Sequence, residues 1–267
     1  MCLKTSKAIL VVSYGSSFKD ARERSIGAIE EIIGQRFPDY KVYRAFTSES
    51  IIQKIKEKEN LQIDTISQAL ERIVSDGIKD LTIIQTHLLQ GMRHESLLNL
   101  TEVYRNQFVQ FKVAEPILKI EENVEAFAEA LENVGGVYDD GKTAICCIGH
   151  GIDMDTNEVY RNIQSVLEQK GLKNYYVGTL SVKPTLEDLY DEIVAQQKYE
   201  RVVLLPLMLV SGYHVRKDLA GPSEGSWRNV FAKSGFKVEC IMKSLGENSI
   251  VQNILATYTE NVIFRNI

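Results

Sequence analysis

TAICCIGHG, residues 143–151, is an unbroken apolar run that ends on a histidine between two glycines. An apolar run closed by a glycine predicts a buried β-strand that leads into a loop at its carboxyl end. A similar stretch, AILVVSYG, lies near the start of the chain at residues 8–15. Aligning the two stretches sets Tyr14 opposite His150.

A second pair of segments repeats this correspondence further along each half of the chain. LLQGMR at 88–93 resembles LVSGYH at 209–214, and the alignment sets Arg93 opposite His214. The two correspondences occur in the same order, which indicates a duplicated unit.

Short apolar runs alternate with segments of helical periodicity along the whole chain, which is typical of βαβ units and parallel sheets. The predicted strands are 8–13, 41–46, 80–85, 111–114, 143–148, 175–179, 201–205 and 238–242. The predicted helices are 21–37, 50–57, 65–76, 96–107, 123–134, 157–169, 186–196, 226–233 and 250–259. We therefore predict an α/β protein of two similar lobes, 1–120 and 121–267, each a parallel sheet flanked by helices. Ligands bind beyond the carboxyl ends of such strands, so we expect an active-site cleft between the lobes.

Composition excludes several classes of protein. Of 267 residues, 44% are hydrophobic and 25% charged, as in ordinary globular proteins. The net charge of −5 argues against a nucleic-acid partner. No stretch approaches the roughly 20 apolar residues of a membrane span, and no signal-peptide pattern is visible. We expect a cytoplasmic protein without a membrane partner, and a homo-oligomer is compatible with the sequence.

The four histidines, His87, His94, His150 and His214, all follow apolar runs. Histidine is the commonest metal ligand. His150 is the strongest candidate, because glycine on both sides lets a ligand or backbone approach closely. The alternative is a loop histidine that caps the next helix.

HLLQGMRHE, residues 87–95, gathers further polar candidates in one loop. The planar guanidinium of Arg93 suits a substrate carboxylate, and His94 or Glu95 could supply a ligand or a base. The alternative is a polar loop that caps a helix beginning near Ser96. Around Gly15, serines could cradle a carboxylate or phosphate at a helix N-terminus, or simply cap that helix.

The sequence lacks the common nucleotide-binding and hydrolase motifs. The third glycine of a dinucleotide-binding GxGxxG would fall at Met154. The chain has no P-loop lysine motif and no GxSxG nucleophile elbow.

Seven segments give the sequence a family resemblance. They are LVVSYGSS (10–17), YRAFTSESIIQKI (43–55), IDTISQAL (63–70), IGHG (148–151), LLPLMLVSGYH (204–214), GSW (225–227) and SLGEN (244–248). In them the chain resembles the anaerobic sirohydrochlorin cobaltochelatases of cobalamin biosynthesis, which are class II chelatases. The resemblance implies a chelatase-like fold of two α/β lobes, Co²⁺ and a tetrapyrrole as substrates, and no organic cofactor. It also implies that His150 and His214 bind the metal and that His150 accepts a pyrrole proton.

The chain departs from the family pattern at two positions. Arg93 and Ser181 stand where the family has glutamates near the metal. The candidate substrate-binding residues are Ser13, Tyr14, Gly15, His87, Arg93, His94, Glu95 and Ser181. Arg216 and Lys217 are expected to offset the carboxylates of the macrocycle. Remaining alternatives are an iron or nickel chelatase of the same fold, a non-catalytic tetrapyrrole- or metal-binding protein, and a two-lobed nutrient-binding protein, against which the missing export signal counts.

Overall fold

The computed structural model describes residues 5–89, 91–151 and 157–265, without the side chains of Arg93 and Asn157. The strands in these residues form two four-stranded sheets, and every strand pairing is parallel. The strands are β1 Lys7–Ser13, β2 Lys41–Phe46, β3 Asp80–Gln85, β4 Gln110–Val113, β5 Thr143–Gly149, β6 Tyr175–Thr179, β7 Arg201–Pro206 and β8 Lys237–Cys240. Their orders, β2-β1-β3-β4 and β6-β5-β7-β8, are the same. The predicted α/β class with two similar parallel sheets is confirmed.

Helices fill the connections between the strands. They are α1 Lys19–Arg22, α2 Ala28–Arg36, α3 Glu49–Glu59, α4 Ile66–Ser75, α5 Met92–Glu102, α6 Glu121–Gly135, α7 Asn157–Gln169, α8 Leu186–Ala195, α9 Trp227–Lys233 and α10 Ser249–Arg265. A π-helical turn, Glu23–Gly27, joins α1 to α2, where the sequence predicts one continuous helix. Ser25 donates its hydroxyl to the carbonyl of Ala21 in this turn, a side-chain bond that competes with the regular helical ladder. None of the described helices is long and apolar enough to cross a membrane.

The chain divides into two compact units. The first unit contains the residues up to 119 together with those from 252 onward, and the second unit contains residues 120–251. The structure thus differs from the expected second lobe, 121–267, at its tail: α10 from Gln252 onward belongs to the first unit. The reason is tertiary contact, since Lys112 Nζ donates to the carbonyl of Ile263 at 2.7 Å and Tyr258 donates to the carbonyl of Glu115 at 2.9 Å.

The core of each unit contains a central strand, β1 in the first unit and β5 in the second. The residues of β1 from Ala8 to Val12 are fully buried, as are those of β5 from Ala144 to Ile148. Parallel strands covered on both faces need such uninterrupted apolar runs. Cys146 and Cys147 lie within β5 as small hydrophobic residues, and burial raises the pKa of both thiols.

The two sheets also share their register at the carboxyl ends of the central strands. In the first unit the backbone N–H of Thr86 donates to the carbonyl of Val12 at 2.9 Å; in the second, Leu207 donates to Ile148 at 2.8 Å. Each third strand then passes through a loop of the same length to a helical turn that begins one residue after a glycine. This common frame sets the positions of the candidate residues.

Candidate metal centre

His150 is the first residue after β5. The glycines on either side of it let the backbone pack closely against neighbouring residues of the second unit. A side chain at Gly149 would place its Cβ 2.2 Å from the ring of Tyr160. At Gly151, whose φ is +70°, a Cβ would lie 2.7 Å from the Thr179 hydroxyl. Glycine is therefore required at both positions, for close approach and, at Gly151, for its left-handed backbone.

Hydrogen bonds from neighbouring elements hold the same loop. The backbone N–H of Gly151 donates to the hydroxyl of Tyr160 at 3.2 Å, and Leu180 N–H donates to the carbonyl of Gly149 at 3.1 Å. Burial raises the pKa of Tyr160, although hydrogen bonds from the backbone of Gly151 and His150 partly oppose this. Tyr160 thus stays a neutral phenol, and its hydrogen bond with Gly151 holds the His150 loop in place.

His214 enters the site from the loop after β7. A helical turn begins at Tyr213 and continues as the π-helical segment Val215–Leu219, in which Ala220 N–H bonds to the carbonyl of Val215. Val215 and Leu219 are fully buried. They anchor the turn in the core and leave His214 on its outer side. Short π-helical turns of this kind are frequent at functional sites.

The two histidines meet because β5 and β7 are neighbouring strands whose carboxyl ends point to the same edge of the sheet. His150 Nε2 lies 3.3 Å from His214 Nε2, and the rings are nearly perpendicular. Both side chains belong to the second unit, so this geometry is set within one unit.

The other ring nitrogens determine which tautomer each imidazole adopts. His150 Nδ1 lies 2.7 Å from the carbonyl oxygen of Gly151, and His214 Nδ1 lies 2.7 Å from Asp218 Oδ2. A carbonyl and an ionised carboxylate only accept hydrogen bonds, so each Nδ1 carries the hydrogen. Each Nε2 then presents a lone pair, and the two lone pairs face one another.

Two facing lone pairs repel each other unless a cation lies between them. In a tetrahedral site, two nitrogens each about 2.0–2.1 Å from a metal ion are about 3.3–3.4 Å apart. The observed separation of 3.3 Å fits that requirement. A proton could occupy the same place, so acid is expected to compete with metal binding.

The described residues contain no group of three or more His, Cys, Asp and Glu side chains placed to hold a metal ion. Two imidazoles leave several coordination positions of a first-row ion open. Catalytic metal sites keep positions open for substrate and water. A weakly held ion with open positions suits transfer to another ligand better than permanent storage.

The first unit holds most of the other predicted residues, in different environments. Ser13 is buried and accepts a hydrogen bond from Thr86 at 2.9 Å, whereas Tyr14 is 42% exposed. Gly15 has a φ of +95°, and a Cβ there would lie 2.5 Å from the ring of Phe46. Among these residues, Tyr14 has the most exposed side chain.

The structure places His94, a predicted ligand or base, in the interior of the first unit. The helix α5 begins at Met92, four residues earlier than predicted, so His94 lies in its first turn and is only 2% exposed. Its Nδ1 is 2.7 Å from Gln85 Nε2, and its Nε2 is 3.1 Å from Glu115 Oε2. Both ring nitrogens are engaged inside the first unit, and burial lowers the pKa of the imidazole.

The remaining candidates are dispersed. His87 is half-buried in the loop after β3, Glu95 is exposed on α5, and Ser181 is exposed in the turn after β6. The side chain of Arg93 lies outside the described part of the structure.

Sequence reasoning missed two residues that hold the histidine pair. Asp218 lies four residues after His214, a spacing that places both side chains on one helical face, so its signal was visible in HVRKD (214–218). Tyr160 contacts the loop only through the tertiary fold, and no local pattern reveals it.

Comparison with known proteins identifies a family whose sequences match this chain. Residues 7–263 match the family described as cobalt chelatase (CbiK). The sirohydrochlorin cobaltochelatase of Salmonella typhimurium is 27% identical over 258 residues, 96% of each chain. The sirohydrochlorin cobaltochelatase CbiKC of Nitratidesulfovibrio vulgaris is 24% identical over 245 residues, 91% of this chain and 86% of the relative.

Solved structures agree on the fold. SirB from Bacillus subtilis with Fe³⁺ superposes with a TM-score of 0.65 at 18% identity, covering 97% of this chain and 96% of SirB. A sirohydrochlorin chelatase SirB in complex with cobalt, from Bacillus subtilis subspecies spizizenii, gives a TM-score of 0.58 at 15% identity, covering 96% and 94%. At these identities the likeness extends to the fold alone. The family match, which spans almost the whole sequence, shows that this chain belongs to the cobalt chelatase (CbiK) family.

Proposed function

We propose that this protein is a sirohydrochlorin cobaltochelatase, which inserts Co²⁺ into the tetrapyrrole during anaerobic cobalamin biosynthesis. The observation that carries the proposal is the pair of facing Nε2 atoms of His150 and His214, 3.3 Å apart, with each Nδ1 hydrogen bonded to an acceptor. Family membership and the names of the curated relatives support the substrates.

Metal insertion breaks two pyrrole N–H bonds, forms bonds from the metal to the ring nitrogens and releases two protons. A neutral imidazole can act as the metal ligand or as the base. In each histidine of the pair only Nε2 has a free lone pair. An Nε2 that binds the metal must therefore release it before the same atom can accept a proton. We propose that His150 accepts one pyrrole proton at Nε2 once it has released the metal and that the second proton passes to water, so that transfer of the ion is coupled to proton removal.

The choice of cobalt rests on the family and not on the ligands. Imidazole suits several first-row ions, including Fe, Co and Ni. We propose Co²⁺ as the metal substrate and no organic cofactor. Tyr14, Gly15, Glu95 and Ser181 remain candidates for contact with the macrocycle.

Three further residues and two properties of the whole protein stay predictions. His87 and Arg93 remain predicted substrate contacts, and Ser13 is expected to act only by supporting Tyr14. The cytoplasmic location and a homo-oligomer are predictions that fractionation and analytical ultracentrifugation would test.

The proposal is tested by metal insertion assays with sirohydrochlorin and one divalent ion at a time, followed by the change in the macrocycle absorption spectrum. We expect conversion to the cobalt-loaded spectrum, and a loss of at least about 100-fold in kcat/KM in His150→Ala, the usual scale for losing a general base. A macrocycle spectrum that only shifts on binding, without conversion, would identify a carrier and overturn the proposal. So would full activity of His150→Ala at saturating Co²⁺.

A further inference from the structure

Asp218 is in contact with His214, one of the two histidines of the pair. Its Oδ2 lies 2.7 Å from His214 Nδ1, and the side chains are 39% and 46% exposed, respectively. The two residues span the π-helical segment that follows β7. Because Val215 and Leu219 are buried on the inner side of this turn, Asp218 and His214 are kept together on its outer side.

The carboxylate fixes both the tautomer and the direction of the imidazole. As an acceptor it retains the hydrogen on Nδ1 of His214, and so leaves the lone pair on Nε2. That nitrogen is the one that faces His150 Nε2. Without the carboxylate, the imidazole could rotate or adopt the other tautomer, and either change would withdraw the lone pair.

The two histidines differ in the partner of Nδ1. His150 donates to a neutral backbone carbonyl, whereas His214 donates to a charged carboxylate at the same distance of 2.7 Å. Charge-assisted hydrogen bonds are about twice as strong as neutral ones, so the Asp218 carboxylate holds the His214 ring more firmly than the Gly151 carbonyl holds the His150 ring. His214 is consequently the stronger metal ligand and His150 the weaker.

We infer that Asp218 is a positioning residue that makes His214 the anchoring ligand of the incoming metal ion, so that His150 is the ligand that lets go first. This inference rests on the proposed function. It assigns the order of release: the histidine with the neutral partner becomes free to take a proton while the metal is still held by the other.

A purely structural role for Asp218 would have a different signature. An exposed contact between residues four apart on a helix makes only a small contribution to stability. Loss of a partner that orients a metal ligand typically lowers metal affinity or activity by 10- to 100-fold. Metal binding by the protein alone therefore separates the two roles.

The experiment is a titration of the full-length protein with Co²⁺, without tetrapyrrole, followed by the visible absorption of the bound ion. We expect Asp218→Ala to raise the Kd for Co²⁺ by about 10- to 100-fold. Asp218→Asn should give a smaller rise, since its amide carbonyl still accepts a hydrogen bond from Nδ1. In the insertion assay, the KM for Co²⁺ should rise with the Kd.

Asp20→Asn is the matched control. Asp20 is an exposed carboxylate that contacts Arg24, four residues further along a helix that also contains a π-turn. The substitution changes the charge by the same amount and should leave Kd unchanged. A Kd within about threefold of the native value in Asp218→Ala would overturn the inference.

His150→Ala and His214→Ala in the same titration separate this failure from that of the proposed function. If both histidine variants lose Co²⁺ binding while Asp218→Ala retains it, only the inference about Asp218 falls. If the histidine variants also bind like the native protein, the metal site itself is misassigned, and both ideas fall together.

Discussion

The two units set different side chains on one backbone frame. After the first strand of each sheet comes Tyr14 in the first unit and His150 in the second. After the third strand, at equal distance, come Arg93 and His214. Strand order and register are the same in both sheets, so the units differ in the side chains at the strand ends. The proposed metal site depends on the two imidazoles of the second unit.

A second difference lies beneath these positions. Gln85 and His94 form a buried polar pair in the first unit, where the second unit has Pro206 and the fully buried Val215. The polar pair continues to Glu115 through a contact of 3.1 Å. Corresponding positions in the two units thus hold a polar network in the first and apolar residues in the second. The stability of the polar network depends on the presence of each of its residues.

Exchanging the residues at the first pair of positions should have the largest effect. His150→Tyr gives the second unit the side chain of the first, and we expect kcat/KM for metal insertion to fall by at least about 100-fold. Tyr14→His makes the reciprocal change and should cost less than tenfold, because Tyr14 belongs to the first unit and both histidines of the pair belong to the second. Steady-state kinetics on both variants would measure this, and equal losses would refute the division of roles between the units.

The residue just before each exchanged position should respond next most strongly. Gly149→Ala forces a Cβ into the ring of Tyr160, and overpacking of this kind costs about 1–3 kcal/mol. We expect the value to be near the upper end, with loss of insertion activity because the His150 loop must move. Ser13→Ala, at the matching position, removes only the hydrogen bond from Thr86, at about 1 kcal/mol. Urea unfolding gives both values, and the reverse order would show that the Gly149 loop relaxes freely.

The buried polar pair offers a smaller and more selective test. His94→Val leaves the Gln85 amide without one of its partners, which should destabilise the protein by about 1–3 kcal/mol. The double variant Gln85→Leu/His94→Val resembles the apolar arrangement of the second unit and should recover much of that loss. A double-mutant cycle measured by urea unfolding tests the coupling. Additive effects would mean that the pair does not act as a network.

The smallest expected effect is at two matching helix caps. Thr65 and Thr185 begin α4 and α8, and each forms a capping box with the third residue of its helix, Gln68 and Asp188 respectively. Thr65→Ala and Thr185→Ala should each cost about 1 kcal/mol. Thermal unfolding of the two variants should give similar shifts. A large difference would show that these corresponding helices contribute unequally to their units.

The central strands could be predicted from the sequence because burial on both faces requires uninterrupted apolar runs. The predicted strand 80–85 has the same bounds as β3, and 143–148 differs from β5 by one residue. The start of α5 could not be predicted, since the helix begins after Gly91 without a side-chain cap, while Ser96 further on imitates a cap. The two π-helical turns depend on contacts that have no periodic signature.

The histidine pair could be predicted in part. His150 and His214 follow neighbouring parallel strands, so the alternating pattern brings them to one edge. The burial of His94 could not be predicted, because its partners Gln85 and Glu115 come from two other segments of the chain. The spacing of Asp218 from His214 is visible in the sequence, whereas the direction of its side chain is provided only by the folded turn.

The return of α10 to the first unit has a consequence for synthesis on the ribosome. The second unit is one continuous stretch, residues 120–251, so its residues emerge one after another without interruption. Most of the first unit precedes that stretch, but the helix that contributes Tyr258 and the carbonyl of Ile263 follows it. At about 5–20 residues per second, making the intervening stretch takes roughly 7–26 s. The first unit therefore starts to emerge before the second unit but is completed only after all residues of the unit carrying the histidine pair have been made.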